Sequence, residues 1–94
     1  MKVRFTHAAE ADIAQINREG LRLFGPQQAQ AYADGLAQAF RLIGAFPHAS
    51  PERDYMRRPV RVRAYGSHVI LYLILDEYVL VVRIRHGREE WQED

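Results

Sequence analysis

From Val60 onward the chain reads as three strand-like runs with almost no room to turn between them. Val60-Arg-Val-Arg-Ala64 alternates apolar and charged residues, and His68 to Leu75 is a nearly continuous apolar run. Tyr78 to His86 stays apolar until two arginines interrupt it. Only Tyr65-Gly66-Ser67 and Asp76-Glu77 separate these runs. Connections this short join antiparallel neighbours, because a parallel pair needs a crossover of a dozen residues or more. The second half of the chain is therefore an antiparallel meander, and the first half has to cover one of its faces.

The first half carries helical spacing. Ile13, Ile16, Gly20, Leu23 and Phe24 recur three or four residues apart between Ala8 and Phe24. Thr6 is placed to cap this helix, with Glu10 and Asp12 in the early turns where carboxylates complement the helix dipole. Gly25 suits a left-handed helix end and Pro26 the first turn of the next helix. That second helix runs from Pro26 to about Ala45, with Ala29, Ala33, Leu36, Phe40 and Ile43 on one face, and Pro47 stops it. Gly20, Ala33, Gly35 and Ala37 are small enough for the two helices to pack closely as a hairpin. Val3-Arg-Phe5 reads as a short first strand, and His48 to Arg58, with Pro51 and clustered charge, as a loop. The expected fold is α+β in the order β-α-α-β-β-β, a helical hairpin packed on one face of an antiparallel sheet.

A chain of 94 residues is one domain, spanning 1–94 without repeat or linker. Hydrophobic residues at 48% and charged residues at 27% exclude a disordered chain. With no cysteine there is no disulfide framework, thiolate metal site or thiol nucleophile. Met1 to Phe5 leads directly into the helical pattern, so no leader is expected. The longest apolar run, Val69 to Leu75, is far too short to span a membrane. Cytoplasmic location is the expectation. Isolated His7 and His48 make no metal site, and phosphate-loop, Ser/His/Asp and His-Glu-x-x-His patterns are all missing, so no metal or cofactor is expected.

Net charge is only +1, but its distribution is uneven. Arg53, Arg57, Arg58, Arg61 and Arg63 cluster before the meander, and Arg83, Arg85 and Arg88 follow near its end. Alternation along a strand places successive side chains on opposite faces. Leu80, Val82 and Ile84 then oppose Arg83 and Arg85, while Val60, Val62 and Ala64 oppose Arg61 and Arg63. Assigning Val69, Leu71, Leu73 and Leu75 to the helix-covered face leaves His68, Ile70, Tyr72 and Ile74 on the other. An open face carrying four arginines, His68 and Tyr72 results. Three readings stand: a solvated face, a docking surface, or a metal-free ribonuclease with arginines for the phosphate and His68, His86 or Tyr72 to move protons. His68 also suits a structural bond to the hairpin backbone. Trp91, in the acidic tail, suits either a cap on the core or an exposed anchor.

Several stretches resemble the ParE/RelE superfamily of bacterial toxins, and its ParE branch above all. They are Ala8-Ala-Glu-Ala-Asp-Ile13, Phe24-Gly-Pro-Gln-Gln-Ala29, Tyr32 to Pro47, Tyr65-Gly-Ser-His-Val-Ile-Leu-Tyr72 and Val82-Arg-Ile-Arg-His-Gly-Arg88. The last two are the most specific. The chain departs from the family at Asn17 and Glu19, where an aromatic pair is frequent, and at Arg85, which is often apolar. The resemblance implies a type II toxin that inhibits DNA gyrase by protein contact, without catalytic residues, in a hetero-oligomer with a ParD-like antitoxin. On that basis Arg61, Arg63, Arg83 and Tyr72 are expected to meet the antitoxin, and Arg85, His86, Arg88 and Trp91 the target. RelE-like chains instead cut ribosome-bound messenger RNA, and a relic that only binds its antitoxin is a third possibility.

Overall fold

A computed structural model describes residues 1–55 and 57–87. Strand β1 (Lys2–Phe5) is followed by helix α1 (His7–Ala45), a 3₁₀ turn (Pro47–Ala49), and strands β2 (Glu52–Tyr55), β3 (Arg58–Tyr65), β4 (His68–Ile74) and β5 (Tyr78–His86). The five strands form one sheet in the order β1-β5-β4-β3-β2.

Thr6 ties the start of the helix to the sheet. Its Oγ1 accepts from the Ala9 N–H at 3.0 Å and donates to the Val82 carbonyl at 2.7 Å, while its own N–H reaches the Val81 carbonyl. A cap of this kind is worth about 1 kcal/mol. Helix α1 is broken at Gly25, whose φ of 85° and ψ of 171° lie in a region that glycine alone occupies readily. The break folds the helix back on itself. In a straight helix Gly20 and Ala29 would lie about 13 Å apart along the axis, whereas a Cβ built on Gly20 sits 3.5 Å from that of Ala29. The expected hairpin is present, with Pro26 opening its second arm.

That hairpin covers the sheet through Ala9, Leu36, Ala39 and Ile43, which meet Ile70, Tyr72, Val79, Val81 and Ile84 in one buried cluster. Val3, Phe5, Ile13, Ile16 and Phe40 close its margin, with Phe5 and Phe40 edge to face at 4.9 Å. At the end of the second arm the Phe46 N–H still bonds Leu42, and Pro47 then diverts the chain.

Four features differ from the sequence expectation. The sheet is mixed, because β1 joins β5 in parallel, Lys2 opposite Tyr78 and Phe5 opposite Val81, with the hairpin and strands β2 to β4 all lying between them in the chain. Glu52–Tyr55, expected in a loop, is an edge strand paired antiparallel with β3. Strand β4 has the opposite parity. Ile70 and Tyr72 face the helix, and register places Arg63 beside Ile70 and Arg61 beside Tyr72 on that same side. Both faces of β4 are apolar, so alternation carried no information there. Finally, a bulge offsets β5 against β4: Leu71 pairs with Arg83 but Tyr72 with Val81. The buried residues of β5 are accordingly Val79, Val81 and Ile84, in place of Leu80, Val82 and Ile84.

Candidate interaction site

The arginine-rich open face does not form as one surface. Arg61 and Arg63 lie on the helix side of the sheet, and Arg83 and Arg85 pair in register with Leu71 and Val69, whose side chains point the other way. Tyr72 is fully buried, and its hydroxyl donates to the Pro47 carbonyl at 2.6 Å. It holds the 3₁₀ turn against the core and offers no surface to a partner.

Two of the arginines are bound into the fold. Arg83 reaches the Asp12 carboxylate with both arms of its fork, Nε at 2.8 Å from Oδ2 and Nη2 at 3.0 Å from Oδ1. Oδ2 also accepts the Ile84 N–H at 2.9 Å, so Asp12 occupies the position along β5 where a neighbouring strand would supply a carbonyl. Burial raises the Asp12 pKa, but the Arg83 fork, the Ile84 N–H and the charges of Arg83 and Arg85 outweigh it and hold the carboxyl below its ordinary value. Arg61 donates to the Ser50 carbonyl at 2.7 Å and, more weakly, to that of His48 at 3.5 Å. Arg63 differs. Its Nε is buried without a hydrogen-bond partner.

A cleft of about 500 Å³ lies between the hairpin and the end of the sheet. Ile16, Gly20, Leu23, Phe24 and Ala29 make its apolar wall, and Tyr32, Ser67, His68 and His86 its polar floor. Leu23 and Phe24, beside the Gly25 break, are 55% and 60% exposed and form an apolar rim. The floor is a network around the Tyr32 hydroxyl. It accepts the Ser67 N–H at 3.1 Å, lies 2.7 Å from His68 Nδ1 and reaches the Tyr65 carbonyl at 3.3 Å. The Tyr65 hydroxyl returns a bond to the Tyr32 carbonyl at 3.0 Å. Burial raises the Tyr32 pKa, partly opposed by the bond from Ser67. Gly66, at φ 53°, permits this approach, since a Cβ there would stand 2.5 Å from the Tyr32 hydroxyl. His68 and His86 stand opposite each other on β4 and β5 with ring centroids 5.4 Å apart, and the Gly87 N–H closes the corner on the Ser67 carbonyl.

His68 and His86 are thus brought together, as the sequence could not show, by register and not by spacing. Tyr32 and Asp12, the two residues that organise the site, went unrecognised because their partners lie 36 and 71 positions away. Arg88 and Trp91 lie outside the described residues. Among those described, no group of three or more histidine, aspartate or glutamate side chains is arranged to hold a metal ion, and no helix is long and apolar enough to cross a membrane.

The fold has a counterpart among solved structures. A chain described as "Chromosomal ParDE TA system from P. aeruginosa" superposes with a TM-score of 0.77 at 17% identity, covering 92% of this chain and 95% of the other. No curated protein sequence matches this chain. The family profile described as "ParE toxin of type II toxin-antitoxin system, parDE" matches residues 3–91, from β1 to Trp91 and through every element of the hairpin and sheet, and on that match the chain belongs to the ParE toxin family.

Proposed function

We propose that the chain inhibits DNA gyrase by protein–protein contact in the cytoplasm, and that a ParD-like antitoxin holds it inactive in a hetero-oligomer. The observation that carries the choice of contact over chemistry is the dispersal of the charged groups. Cleaving RNA without a metal requires cations converging on one phosphate beside groups that move protons. Here Arg61 and Arg83 are engaged by backbone carbonyls and by Asp12, on opposite faces of the sheet. Tyr72 is sealed in the core. The neighbouring pair His68 and His86, with Tyr32, is the feature that favours the second reading, a RelE-like ribonuclease. Yet none of the described residues lining their cleft is an arginine or lysine.

Two assays separate these readings. Purified protein should inhibit supercoiling by gyrase, and adding the antitoxin encoded beside it should restore activity. Induction in cells should produce DNA-damage signalling and filamentation while ribosome-bound messages stay intact. Codon-linked message cleavage that depends on Arg83 or His86 would move the assignment to the ribonuclease.

A further inference from the structure

We infer that the outer edge of β1 takes an extended segment of the antitoxin as a further strand, with apolar and acidic residues alternating along that segment; this rests on the antitoxin reading above. β1 ends the sheet, with β5 on one side and none of the described strands on the other. The Thr6 N–H bonds the Val81 carbonyl. Backbone groups alternate in direction along a strand, so the N–H and C=O of Val3 and Phe5 point away from β5. Among the described residues, no backbone bond from a turn, loop or cap takes these groups. An edge left in this state is a template for another strand.

The surroundings of the edge set the chemistry of the segment. A groove of about 410 Å³ lies between β1 and the end of the second hairpin arm. Val3, Phe5, Phe40, Gly44 and Ala45 line it, and Arg41 contributes the one charged side chain among the described lining residues. Val3 and Phe5 turn to this helix side, while Lys2 and Arg4 are exposed on the other face, Arg4 lying 4.7 Å over the Tyr78 ring. A strand added to β1 repeats that parity. Its residues beside Val3 and Phe5 enter the groove and are apolar. Those beside Lys2 and Arg4 meet cations and are acidic. The same cations exclude a second copy of this chain. Pairing two β1 edges antiparallel through Val3 sets Lys2 of one copy against Arg4 of the other, and pairing Val3 with Phe5 sets Arg4 against Arg4. Like charges directly opposite each other are destabilising.

The test uses the full-length chain and the antitoxin encoded beside it. Amide exchange on the native toxin needs no substitution. The Val3 and Phe5 N–H groups should slow by about tenfold or more in the complex, while the β2 amides, at the other edge of the sheet, keep their rates. Val3→Pro removes an outward donor at a sheet edge, where proline is tolerated, and should weaken the complex by about tenfold or more. Ala45→Trp fills the groove and should weaken it likewise, with the melting temperature of the free toxin close to that of the native chain. Lys2→Glu should lower affinity at low salt and lose most of that effect at high salt. Val3 and Phe5 amides that stay fast in a saturated complex overturn the inference alone, even where Val3→Pro does not fold. So does unchanged antitoxin affinity in Ala45→Trp, or protection that falls on β2 instead. A native chain that does not bind the antitoxin at all overturns the antitoxin reading and the inference with it.

Discussion

Replacing Asp12 by alanine removes one carboxylate and the three hydrogen bonds it accepts, from the Nε and Nη2 of Arg83 and the N–H of Ile84. The size of the effect follows from exposure. Exposed ion pairs contribute up to about 1 kcal/mol, while breaking a buried one costs about 3–5 kcal/mol. The side chains here are 29% and 16% exposed, nearer the buried limit, which places the loss at about 2–3 kcal/mol. For a domain of this size that lowers the melting temperature by on the order of 10–20 °C. Asp12→Asn retains an acceptor for Ile84 but not the charge, and should lose about half as much. Acid supplies an independent check. The folded-state pKa of Asp12 lies below its ordinary value of 3.8, so the charged contribution is complete above that pH and fades as pH falls through the lower folded value. Urea denaturation of the native chain and Asp12→Ala should show a gap that is constant near neutrality and narrows in acid. A loss below about 0.5 kcal/mol, or a gap indifferent to acid, would refute the reasoning.

Three further outcomes are expected. Gly25→Ala places a side chain at φ 85°, ψ 171° and should cost about 1–3 kcal/mol by denaturant melts, although no atom lies within 4 Å to clash with it. Tyr72→Phe removes the bond to Pro47 and should lower stability by about 1 kcal/mol while leaving antitoxin affinity unchanged in a titration; a large affinity loss would return Tyr72 to the interface. Arg88→Ala and Trp91→Ala should relieve growth arrest with little change in melting temperature, weakening target binding about thirtyfold. A Trp91→Ala chain that stays toxic, or that unfolds, removes the tail from the mechanism.

What the sequence could disclose was local. Gly25-Pro26 announces the hairpin because glycine and proline act through their own backbone, and Thr6 announces the cap because the N–H it accepts from is three residues on. The short turns after Tyr65 and Leu75 fix the antiparallel meander for the same reason. Strand β4 was misassigned because Val69, Leu71 and Leu73 are as apolar as Ile70, Tyr72 and Ile74, so period two has no phase to read. The β5 bulge is equally silent in a run such as Val79-Leu-Val-Val. Strand β2, Glu52-Arg-Asp-Tyr55, is charged in the way edge strands often are, which makes it resemble a loop. The site suffered most. The bonds from Asp12 to Arg83 and from Tyr32 to His68 depend on where the hairpin settles, and no local pattern encodes that.

The parallel pairing of β1 with β5 also sets an order of events during synthesis. β1 precedes the other described strands in the chain, and among them its neighbour in the sheet is the last. β5 also supplies Val79, Val81 and Ile84 to the core and the carbonyls that receive Thr6. Until Tyr78–His86 has left the ribosome, the hairpin has no finished sheet to cover and the first strand has nothing to pair with. Such long-range closure is slow compared with helix formation. An unfinished chain therefore lacks both the covered core and the strand that ends in His86. Whatever this protein does to its target, it begins only after the chain has been made as far as His86.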